Sequence, residues 1–182
     1  MSVAGLAATL SRHKAFLAEN PEGVRADLSG QDLSSLNLEG IMLQGVVAAA
    51  ANFSRSLLAN ADLSNADLFR TNFEFCNLSN SDLSRSDLKG AKLQGAKLSN
   101  ANLVEADLRA GRFLQQSADS DPRTDLRKTR LDGADLSRAN LSEVRMNDSS
   151  AVGAKMNKAE MTHADLSDSN LTEADLTGRK RT

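Results

Sequence analysis

At 182 residues the chain has the length of one domain, yet its aromatic content of 3%, with no Trp and no Tyr, argues against a globular core built on large rings. A formal net charge of −2 argues against a nucleic-acid binder and equally against a strongly acidic decoy. The longest apolar run, Val46 to Ala51, is far too short to span a membrane and no signal peptide is visible, so the cytoplasm is the expected compartment.

The first predicted element is a helix from residue 2 to about residue 19. Ser2 can cap it. Leu6, Leu10 and Leu17, with Val3 and Phe16 nearby, place an apolar stripe at helical spacing. Asn20-Pro21-Glu22-Gly23 ends it. His13 lies near the stripe and is read as a helix-surface or cap-packing residue; one histidine makes no metal site. Residues 1–25 form the expected capping helix and turn.

From Leu28 a different rule takes over. A large apolar residue, position i, recurs every fifth place from Leu28 to Phe113. Two places before it sits something small, as at Ala61, Ala66, Thr71 and Cys76. A helix turns about 100° per residue, so steps of five scatter side chains around the axis. A straight strand has a side-chain period of two, and an odd step sends alternate leucines to solvent. The pattern works if the chain bends once per repeat, with i−2 and i pointing inward and i−1, i+1 and i+2 forming the corner. Stacked repeats of this kind make a tubular solenoid, and the N-terminal helix is then its lid. The first coil is irregular. Leu36 and Ile41 take i−2 places, and large Val46 faces small Ala48 in a volume exchange.

Phe53 and Phe73 occupy the central place four repeats apart, and Phe113 follows after eight more, with Leu93 between. Asp67, Asp87 and Asp107 recur at the same four-repeat interval. Both suggest a coil of four five-residue sides. Residues 114–125 break the register, because the step from Phe113 to Leu126 is not a multiple of five. This polar segment, with Asp119, Asp121, Pro122 and Arg123, reads as a loop at one corner, either a plain insertion or a functional loop. The second block, 126–178, restores the register in a new phase. Met146, Met156 and Met161 read as gap-fillers and His163 as a solvated corner residue. A basic tail, 179–182, closes the sequence. The last coil is expected to be bare, giving a monomer or a weak end-to-end dimer.

The tandem units, such as Ala61-Asp62-Leu63-Ser64-Asn65, resemble the A(D/N)LXX motif of the pentapeptide repeat family, and the resemblance covers Ala26 to Gly178. It implies an all-β solenoid, a right-handed quadrilateral β-helix; the handedness comes from the resemblance and not from spacing. In members that protect DNA gyrase, loops leaving the coil serve activity and a C-terminal apolar helix makes the dimer. No such helix is visible here.

No nucleophile–base pair, glycine-rich phosphate loop or metal-ligand set is found, so catalytic residues, cofactor and metal are all expected to be none. Cys76 reads as a buried structural thiol. Asp or Asn fills i−1 in most repeats, which suits turn chemistry. With four repeats per coil, Asp27, Asp67, Asp87 and Asp107 form an acidic column interrupted by Val47, with Asp62 and Asp82 on the adjoining face. Lys92, Arg112 and Lys97 take the same place on the other faces. Outward apolar residues are Met42, Val47, Leu57, Phe69, Phe75 and Val104. Phe69 and Phe75 flank one side of a coil with Leu57 one coil below, a candidate protein interface.

The leading expectation is a non-enzymatic interaction module, a rigid rod binding a protein partner that the sequence does not identify, with no direct nucleic-acid or membrane contact. The alternative is a DNA-mimicking regulator or protector of a type II topoisomerase, DNA gyrase, like the quinolone-resistance members. Near-neutral charge and the missing dimer segment weigh against it.

Overall fold

The computed structural model describes residues 2–112 and 121–179. Phe113, the 114–120 part of the expected loop with Asp119, and residues 180–182 of the tail lie outside them.

One helix, α1 (Val3–Leu17), precedes the repeats. The Ser2 hydroxyl accepts the Gly5 N–H at 3.1 Å and caps it. Gly23 lies so close to the backbone of Ala15 and Phe16 that a Cβ there would sit 2.2 Å from the Phe16 nitrogen. Only glycine permits this return of the chain toward the coil. His13, on α1, is fully buried, and its Nδ1 accepts the Ala26 N–H at 3.1 Å. It packs the cap.

Beyond α1 the chain pairs with itself in parallel, each repeat with the one four repeats on: Asp27 with Val47, Asp32 with Asn52, Asn37 with Leu57, Met42 with Asp62. These begin four rows of bridges, named here first to fourth in that order. Each repeat contributes a single bridge residue, the i−1 position. The expectation that i−1 belongs to the corner is corrected: the turn is confined to i+1 and i+2. A chain that turns once in every repeat has no room for a longer strand.

Three bonds per repeat join the coils. Leu63 N–H donates to the Asp82 carbonyl at 2.7 Å, Asn65 N–H to Ser84 at 2.9 Å, and Asp82 N–H back to Ala61 at 2.9 Å. The i+2 residue sits in the left-handed region even where it is not glycine, as at Asn65 (φ 56), Phe75 (φ 59) and Arg85 (φ 56). That conformation costs an L-residue about 1–2 kcal/mol, and the inter-coil bonds hold it.

The central residues Leu63, Leu68, Phe73, Leu78 and Leu83 have no exposure. The Phe53 and Phe73 rings stack, centroids 5.3 Å apart and 10° from parallel. Val46 and Ala48 are both fully buried, so the volume exchange is real. Ser56, Thr71 and Cys76, at i−2, donate to the carbonyls of Leu33, Ala48 and Phe53 at 2.7, 2.8 and 2.6 Å. Burial pushes the Cys76 thiol up to about 12, so it is inert.

The out-of-phase step is absorbed inside one coil. Lys92 pairs with Asp125, Lys97 with Arg130, Asn102 with Asp135 and Asp107 with Asn140. The place above Leu93 that a five-residue count assigns to Phe113 therefore belongs to Leu126. Likewise Arg112 leaves its expected row position and reaches Glu143. Thr124 and Asp125, counted in the loop, already hold i−2 and i−1 places. The buried Thr124 hydroxyl accepts the Gly90 N–H at 2.9 Å.

Candidate interaction surface

Every Asp or Asn at i−1 among the described repeats accepts a hydrogen bond from the backbone N–H two places on, for example Ser29 to Asp27 at 2.9 Å and Ser84 to Asp82 at 2.8 Å. These carboxylates belong first to turns. At Asp27 the Ser29 hydroxyl and N–H hold the carboxyl below its ordinary pKa.

The first row runs Asp27, Val47, Asp67, Asp87, Asp107 and continues through Asn140 to Glu160. Asp87 and Asp107 are neutralised. Lys89 Nζ lies 2.8 Å from Asp87 and 3.9 Å from Asp107, and Arg109 lies 2.7 Å from Asp107. Burial raises the Asp107 carboxyl, but hydrogen bonds from Arg109 outweigh it and the pKa is lowered. Asp62 and Asp82 are bridged in the fourth row, adjoining the first. They are tied to Ser64 and Asn102 at 2.6 and 3.2 Å.

The apolar candidates do not form one patch. Met42 stands in the fourth row and Val47, half-buried, in the first. Phe69 and Val104 are half-buried as well. Phe75, 57% exposed, and Leu57, 46% exposed, do belong together. Leu57 lies one coil below Phe75 and just past the same corner. The Phe75 ring lies against Gly95 of the next coil, where a Cβ would meet it at 2.6 Å. Arg55, one coil below, places its guanidinium 5.7 Å from the ring centroid. Phe75 is thus held flat on a rigid corner.

Over the second row runs a groove of 690 Å³ lined by Phe69 and Glu74 but not by Phe75. Sequence reasoning did not anticipate it. Its floor is the row Lys92, Asp125, Arg145. Asp125 receives Arg127 (Nη2 at 2.7 Å) and Arg145 (Nη2 at 2.8 Å). Asp121 receives Arg123 (2.8 Å) and Arg145 (Nη1 at 3.1 Å). Arg123 and, to a lesser degree, Arg145 pull the Asp121 carboxyl down to about 2. The described loop residues are thus folded onto this face, Pro122 accepting the Gly111 N–H. The signal in the sequence was the phase shift between the two blocks. Placed within a single coil, it sets Asp125 over Lys92, and the four-repeat interval of the second block then sets Arg145 over Asp125.

Among the described residues no group of His, Cys, Asp or Glu could hold a metal ion, and no helix is long and apolar enough to cross a membrane. The model of the pentapeptide repeats matches residues 49–85, 86–113, 123–157 and 146–178, in eight copies. The chain belongs to the pentapeptide repeat family. Members of this family with solved structures resemble it at modest similarity. HetL, involved in heterocyst differentiation regulation in the cyanobacterium Nostoc sp. strain PCC 7120, is 28% identical over 85% of this chain and 82% of its own, TM-score 0.46. Rfr23 of the cyanobacterium Cyanothece 51142 is 24% identical over 96% and 94%, TM-score 0.45. QnrB1, a plasmid-mediated fluoroquinolone resistance protein, is 18% identical over 86% and 91%, TM-score 0.30. Comparison with the curated proteins gives no match.

Proposed function

We propose that this pentapeptide repeat protein is a non-enzymatic interaction module, a right-handed rod of square cross-section that docks a protein partner in the cytoplasm. Phe75 carries the reading. A phenylalanine more than half exposed on an ordered corner, with Leu57 beside it and Arg55 beneath, offers an aromatic anchor with a polar rim. Its side chain contributes little to the core, so nothing in the column of leucines requires it. Phe75→Ser is expected to leave the melting temperature within about 1–2 °C of wild type, as surface changes usually cost under ~0.5 kcal/mol. It is expected to abolish capture of a partner from the native host, read by mass spectrometry. Undiminished capture by the variant overturns the reading.

The stretch of the acidic first row around Asp67 favours a second reading, DNA mimicry toward a type II topoisomerase. The cations on Asp87 and Asp107 reduce the mimic to a short stretch, against one phosphate charge per about 1.7 Å of duplex. A supercoiling assay with DNA gyrase that stays flat on titration of the protein removes this reading.

A further inference from the structure

We propose that the groove over Lys92, Asp125 and Arg145 binds the carboxylate side chains of an extended acidic segment of a protein partner. This names the chemistry of one docking face and rests on the reading of the chain as an interaction module.

The charge in the groove is layered. Asp125 is 8% exposed, while the guanidiniums of Arg127 and Arg145, at 34% and 22%, stand over it. Three arginines, Arg123, Arg127 and Arg145, share two carboxylates, Asp121 and Asp125. Lys92, exposed in the same row, has neither an ion pair nor a side-chain hydrogen bond among the described residues. The lining as a whole holds five cations, adding Arg70, against three carboxylates, adding Glu74, an excess of two positive charges in a chain of net charge −2.

The cations are also set in place. Arg127 binds Asp125 through Nε at 2.9 Å and Nη2 at 2.7 Å, which leaves Nη1 without a hydrogen bond among the described residues. Arg123 binds Asp121 the same way, at 3.0 and 2.8 Å. Arg145 spends both Nη atoms on the two aspartates, and its buried Nε has no partner among the described residues. Guanidiniums fixed by two-point pairs lose little side-chain freedom when a further carboxylate arrives.

The shape selects among anions. Small-molecule sites are enclosed and mostly apolar. This groove is open, and cations recur along it at one- and two-coil steps, about 5–10 Å. Such spacing suits successive acidic side chains of one extended chain. A nucleic acid fits less well. Its phosphates are continuous, and Glu74 in the groove and Asp67 across the corner oppose some of them. A peptide with separated acidic residues avoids both. Phe69, half-buried at the rim, gives such a segment an apolar contact.

The test uses the full chain and a fluorescein-labelled oligoglutamate peptide, read by anisotropy at low ionic strength. Wild type is expected to bind it, with affinity falling as salt rises. Lys92→Glu is expected to weaken binding about tenfold or more, and Lys92→Gln by less. Lys97→Glu makes the same charge change at an exposed lysine one row away and is expected to keep binding within about twofold. Melting temperatures of all three are expected to match wild type. No binding by wild type, or equal weakening by Lys97→Glu, overturns the proposal. Tighter binding of an oligothymidylate with the same dependence on Lys92 also overturns it and assigns the groove to single-stranded nucleic acid. The outcome is separable from the Phe75 reading. Absent peptide binding with partner capture still lost in Phe75→Ser removes the groove and leaves the module.

Discussion

Leu83 has no exposure, and its row neighbours stack it between Leu63 and Leu103 in the central column. The backbone around it is held by bonds to Asn102 above and Ala61 below. A charge here has no partner and no water. Leu83→Asp is therefore expected to cost several kcal/mol, enough to unfold a chain of ordinary marginal stability. Loss of the cooperative thermal transition checks this; a folded, monodisperse variant contradicts it. At this scale the sequence was informative, because position in the repeat fixes environment. Leu63 and Cys76 are buried and His163 is exposed at its corner, as their places in the five-residue cycle require. Asp67 was legible in kind, as a turn acceptor, but the neutralisation of Asp87 and Asp107 was not. Lys89 and Arg109 sit at i+1, and whether an i+1 side chain folds back onto its own row or reaches into solvent is a matter of rotamer.

The element whose behaviour depends on solution conditions is the cap, α1. Its His13 accepts the Ala26 N–H through Nδ1, and only the neutral ring can do so. Burial lowers the His13 pKa from its ordinary 6.5, and the nearby Arg25 lowers it further, against a smaller opposing effect from the Gln44 backbone. The folded pKa thus lies below the unfolded one. The stabilisation is fully present above pH 6.5 and is lost as pH falls through the folded value. Melting temperature is expected to drop between about pH 7.5 and pH 5, before most carboxylates titrate. His13→Gln, which keeps an acceptor but does not titrate, is expected to flatten that drop; an unchanged slope contradicts the assignment. The helix itself was legible from Ser2 and the leucine stripe. The His13 lock was not, because it joins residues from two elements whose approach depends on the Gly23 turn.

In the whole molecule, coils contact mainly their neighbours, so stability varies along the rod. The N–H groups of Leu166 and Leu171 have no acceptor among the described residues, and these side chains are half-exposed. Leu63 N–H is bonded at 2.7 Å inside the column. Hydrogen exchange is expected to be fastest at Leu166 and Leu171 and slowest around Leu63 to Leu83. Uniform protection along the rod contradicts this. The sequence by itself determined the column, one bend per repeat and the stacking of every fourth repeat, because each follows from one local rule repeated: a small residue, a turn acceptor, a large apolar residue, a turn. Only the tertiary structure decided which coil absorbs the out-of-phase step, and hence that Asp125 lies over Lys92; Arg145 over Asp125 then follows from the four-repeat interval. Inserting residues at a corner adds little free energy wherever it happens, whereas the pairing of rows is set by the bonds between whole coils. The groove's charge is a product of that pairing, and no five-residue window contains it.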